Sequence, residues 1–75
     1  MNLTETEISV LQSLVKKGGM GNVQEFLQWP IEEFDKAFAF ANNLQNKDLV
    51  KLLYSNFNKN LIVVELTLVG FKQGS

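Results

Sequence analysis

Between Pro30 and Lys47 the apolar residues recur at helical spacing. Projected at about 100° per residue, Ile31, Phe34, Ala37, Phe38, Ala41 and Leu44 fall on one stripe, and Asp35, Ala39, Asn42, Asn43 and Asn46 fall opposite it. The pattern predicts a long central helix over Pro30–Lys47, with one face for a core and the other open to solvent. Pro30 suits a first helical turn, where a missing N–H costs nothing and φ is already helical.

Upstream, Leu3-Thr4-Glu5-Thr6-Glu7-Ile8 is a complete helix-start signal. Thr4 serves as N-cap, Glu7 closes a capping box, and Leu3 is placed to staple onto Ile8. Ile8, Leu11, Leu14 and Val15 continue that helix until Gly18-Gly19 ends it, with Lys16 and Lys17 at its C-terminal dipole. Met20-Gly21 can add a minimal extended edge to a later hairpin. Asn22 and Glu25 repeat the capping-box spacing ahead of Val23, Phe26 and Leu27, which predicts a second helix of about two turns, too short to stand alone. Trp29-Pro30 breaks it. Downstream, Asp48 takes the left-handed position after the central helix. Leu49–Ser55 and Leu61–Val69 are then β-favouring runs flanking a five-residue tip, Asn56–Asn60.

Residues 1–75 read as a single α+β domain, mostly α, with three helices, a C-terminal hairpin and a radius of gyration of roughly 11 Å. Seven lysines face eight acidic residues, and there is no Arg, His or Cys. Disulfides and the usual zinc ligands are therefore excluded. Absent Arg removes the commonest bidentate contact to guanine. With no imidazole base, no thiolate and no phosphate-binding loop, the composition argues against an enzyme, and no cofactor or small-molecule ligand is indicated. No apolar run approaches the ~20 residues that span a bilayer. Nothing at the N-terminus resembles a secretory signal, so the chain reads as intracellular and cytoplasmic.

The element order, together with Leu44-Gln45-Asn46-Lys47-Asp48-Leu49-Val50 and Leu66-Thr67-Leu68-Val69-Gly70, resembles the winged helix-turn-helix family. The first segment looks like that family's junction of recognition helix and wing, and the second like its wing-closing Leu-Thr-x-x-Gly. Asp48 departs from the usual Gly. The resemblance implies that Pro30–Lys47 is the recognition helix, that Asn56–Asn60 is the wing tip, and that the chain acts on double-stranded DNA as a small transcriptional regulator. The same fold also serves as a protein-interaction module with little nucleic-acid binding, so the site must decide.

Two readings stand for each candidate group. Asn42, Asn43 and Asn46 can meet base edges, with small Ala39 allowing close approach, or they form a plain solvated face. Glu32, Glu33 and Asp35 favour the second reading, since they place negative charge at the end of the helix that usually leads into the groove. Lys51, Asn58, Lys59 and Asn60 can meet phosphates, with Lys72 beyond them, or the lysines protect exposed strand edges. Phe57 at the tip, Val63 and Val69 on the last strand, and Phe71 after it exceed what one small core needs. They point to an interface, most simply with a second copy. Phe26, Trp29, Phe34 and Phe38 read as core.

Overall fold

The computed structural model describes residues 2–75. In chain order the elements are α1 (Glu5–Lys16), β1 (Met20–Asn22), α2 (Val23–Leu27), a 3-10 turn (Ile31–Glu33), α3 (Phe34–Asn46), β2 (Val50–Asn56), β3 (Leu61–Leu66) and α4 (Leu68–Gly74). The three strands form one antiparallel sheet in the order β1-β3-β2. The architecture is α+β, and the radius of gyration is 11.1 Å.

The helix starts follow their caps. Thr4 Oγ1 accepts from the Glu7 N–H (3.1 Å), and Glu7 Oε1 accepts from the Thr4 N–H (2.8 Å), closing the reciprocal box. At the other end of α1, Gly18 and Gly19 both have positive φ, and the Gly19 N–H reaches back to Leu14 O (2.8 Å). Asn22 caps α2 through the Gln24 N–H instead of closing a box with Glu25, which is exposed. Asn22 Oδ1 also accepts from Ile62 N–H (2.8 Å), so the same side chain fastens α2 to β3. Val10, one turn before Leu14, joins the core, whereas Ile8 and Val15 are half-buried.

The central helix is shorter than its pattern predicts. Pro30 is extended (ψ 157°), Ile31–Glu33 form the 3-10 turn, and the α-helix begins only at Phe34. Ile31 therefore leaves the apolar stripe and is exposed. Asp48 does adopt the left-handed conformation (φ 61°). At the hairpin, Asn56 belongs to β2 and the turn is Phe57–Asn60, closed by Asn60 N–H to Phe57 O (3.0 Å). A bulge at Leu53 breaks the β2–β3 register.

The largest correction concerns the C-terminal segment. There are four helices, not three, and the hairpin is not the last element. β3 stops at Leu66 because Thr67 acts as a helix cap: its Oγ1 accepts from the Gly70 N–H (3.0 Å) and donates to Asp48 O (2.6 Å). Gly70 and Gly74 let α4 approach the backbone of Leu49 and of Leu11 more closely than a Cβ would permit. Val69 consequently packs against the core from a helix and not from a strand. Fully buried Leu11, Leu14, Val23, Ala41, Leu44 and Ile62 anchor that core between helices and sheet. Among the described residues, no helix is long and apolar enough to cross a membrane.

Candidate nucleic-acid interface

α3 buries Phe34, Ala37, Ala41 and Leu44 and exposes Asp35, Lys36, Ala39, Asn42, Asn43 and Asn46. Its exposed side is divided by two anchors. On one flank, Gln45 Oε1 accepts from the Leu52 N–H (2.8 Å) and ties the helix to β2. On the other flank, Asn43 Nδ2 (3.3 Å) and Lys47 Nζ (2.9 Å) both donate to Glu7 Oε2, which ties the helix to the start of α1. At about 100° per residue, Asn42, Asn46 and Ala39 lie within a strip of about 60° between the flanks. Asn42 Oδ1 accepts a long bond from Gln45 Nε2 (3.4 Å); Asn46 and Ala39 carry no such tie.

Glu7 is the buried charge behind this arrangement, 3% exposed. Burial pushes its carboxyl up. The Thr4 backbone donor and the Lys47 ammonium outweigh that and hold it below the usual carboxylate range. Sequence reasoning found the Glu7–Thr4 cap but missed the partnership with Asn43 and Lys47, and it missed Gln45 altogether. No local signal marks a bond between residues about 40 positions apart.

The hairpin divides the remaining candidates. Asn58 and Lys59 are exposed at its tip. Lys59 uses its N–H on Asn56 Oδ1 (3.1 Å), which leaves the ammonium in solvent. Asn60 is fastened: its Oδ1 accepts from Gln24 Nε2 (2.8 Å), and its carbonyl accepts from Asn22 Nδ2 (3.3 Å). Lys51 lies opposite Glu65 in the register, on the sheet face turned away from the helices. Phe57 is exposed, yet its ring meets Phe34 edge-on (centroids 5.3 Å apart), so the tip rests against the beginning of α3. Phe40 similarly meets Trp29 (6.1 Å), closing the α2–α3 turn.

The acidic residues sit at that same end of α3. Glu32 and Asp35 are exposed, and Glu33 makes a loose pair with Lys36 (3.7 Å). Of the apolar residues offered for an interface, Val63 is half-buried between Asn22 and Tyr54, Val69 packs inward, and Phe71 is exposed. Among the described residues, no group of three or more His, Cys, Asp or Glu is placed to hold a metal ion. No family model, curated protein or solved structure matches the chain.

Proposed function

We propose that the chain is a winged helix-turn-helix variant, with α4 added after the hairpin, and that it binds double-stranded DNA through α3 and the hairpin tip. The observation that carries this reading is the strip of Ala39, Asn42 and Asn46. Its neighbours on both flanks are fastened to the rest of the fold, while the strip itself is exposed. A small residue one turn ahead of two amides suits close approach to base edges, since an amide bonds bidentately to adenine. Lys59 and Asn58, on a tip that rests beside the start of α3, supply the backbone contact.

The charge balance sets the expected strength. With a net charge of −1 and Glu32 and Asp35 exposed near the leading end, binding is weak and salt-sensitive. Fluorescence anisotropy on a site selected from random duplex, repeated over a salt series, tests it. Asn42→Ala or Asn46→Ala should cost about 1–3 kcal/mol on the preferred site only, whereas Lys59→Ala should weaken all duplexes alike and lower the salt slope by about one.

A second reading, a protein-interaction module, is favoured by the exposed Met20, Leu68 and Phe71. The Glu32→Gln, Glu33→Gln, Asp35→Asn triple variant separates the two readings. If neither it nor the wild type binds duplex at low salt, repulsion is not what hides the binding, and the DNA reading fails.

A further inference from the structure

α4 is apolar on both sides. Gly70 and Gly74 face inward against Leu49 and Leu11. Leu68, Phe71 and Lys72 project from the opposite side, with Leu68 between the other two at about 100° per residue. Leu68 is 81% exposed and Phe71 51%. Leu68 is the first residue of α4, after the Thr67 cap, where nothing in the fold requires an apolar side chain. Across a groove of about 310 Å³ from them stand Met20, 51% exposed, and Glu65.

Glu65 lines the groove, and Lys72, exposed one turn after Leu68 on α4, lies just outside it. The ion pairs formed among the described residues, Lys36–Glu33 and Lys47–Glu7, use neither Glu65 nor Lys72. A surface with an apolar centre, an acid on one side and a base on the other complements itself under two-fold rotation.

We infer that a second copy of this chain closes the groove, packing Leu68 and Phe71 of each protomer against Met20 of the other about a two-fold axis, with Lys72 facing the partner's Glu65 twice. The geometry leaves the proposed contact at the hairpin tip free. The groove lies where β3 ends and the hairpin tip where it begins, about 17 Å apart along the strand at ~3.3 Å per residue. The inference stands independently of DNA binding, and its test contains no DNA.

Sedimentation equilibrium across the micromolar range is expected to reach twice the 8.5 kDa monomer mass. Leu68→Lys, whose site is counted twice in a symmetric interface, should raise the dimer dissociation constant by about a hundredfold. Glu65→Lys and Lys72→Glu should each weaken the dimer by about tenfold, and the double reversal should restore it. All three positions are exposed, and melting curves at low concentration check that each variant is folded. A mass that stays monomeric at high micromolar concentration overturns the inference, as does assembly beyond a dimer. Failure of the double reversal to recover association, with the single variants weakened, overturns the assigned pairing.

Discussion

Replacing Glu7 by Gln removes one charge and almost no volume from a position that joins α1 to α3. The carboxylate accepts from Thr4 N–H, Asn43 Nδ2 and Lys47 Nζ. Gln keeps the first bond through its carbonyl oxygen, because it serves a capping box as Glu does. Its amide then turns a donor toward two donors, and Lys47 loses its counter-charge. Hydrogen bonds to charged groups contribute about 1.5–3 kcal/mol against about 0.5–1.5 for neutral ones. A fully stranded buried charge would cost about 3–5 kcal/mol, but the Lys47 side chain is 31% exposed and can rehydrate. The net expectation for Glu7→Gln is a loss of about 1–2 kcal/mol. In a domain of this size, with about 3–5 kcal/mol in hand, that is a large share.

Urea denaturation at neutral pH should therefore move the midpoint down by about 1–2 M for a slope near 1 kcal/mol/M. The pH dependence gives a second readout. The folded carboxyl titrates below its ordinary value of 4.5, so its contribution is present above that value and is lost as pH falls through the lower folded value. Wild type should then lose stability on acidification more steeply than Glu7→Gln, and the gap between them should narrow as the pH falls below 4.5. Equal midpoints at neutral pH, or a gap that does not change with pH, would refute the assignment of Glu7 as a buried, charged tie.

Two further substitutions test the ends of helices. Thr4→Ala removes the hydroxyl that caps α1 and should cost about 0.5–2 kcal/mol, read as a lower denaturation midpoint; an unchanged midpoint would contradict the cap. Gly70→Ala puts a methyl group into the Leu49 carbonyl. It should cost about 1–3 kcal/mol and loosen α4 from Leu49, measured as faster amide exchange in residues 68–74. Exchange unchanged there would mean that α4 does not depend on that approach.

The sequence made the helices legible where a cap and a periodic stripe coincided. Thr4 with Glu7, and Gly18-Gly19, bracket α1 through bonds made within a few residues, so they can be read locally. α4 was not legible for the opposite reason. Leu61–Val69 is an unbroken β-favouring run, and what ends β3 inside it is Thr67 bonding to Asp48 and Leu49, 18 or 19 residues away. Gly70 then secures the turn into the helix by close approach to Leu49. Local propensity for strand lost to a contact that only the assembled fold supplies. The late start of α3 has a more local cause. No side chain caps Pro30 or Glu33, and the first residues after Pro30 settle into a 3-10 turn.

The asparagines show how far the site could be read. Asn42, Asn43 and Asn46 look alike in the sequence, one polar face of one helix, and Asn58 and Asn60 look alike at one tip. Folding separates them by partner. Asn43 is drawn to Glu7, and Asn60 to Gln24 and Asn22, from 36 or more residues away. Asn46 and Asn58 remain exposed to solvent. A difference of about 60–100° around α3 decides which amide braces the fold and which is left to meet something else. The two roles are connected. Gln45 on β2 and Asn43 with Lys47 on Glu7 grip α3 from opposite flanks, and together they set its rotation about its own axis. Asn43, which drops out of the candidate surface, is thus one of the residues that aim it, because a helix free to rotate would present no fixed strip of Ala39, Asn42 and Asn46 to any ligand.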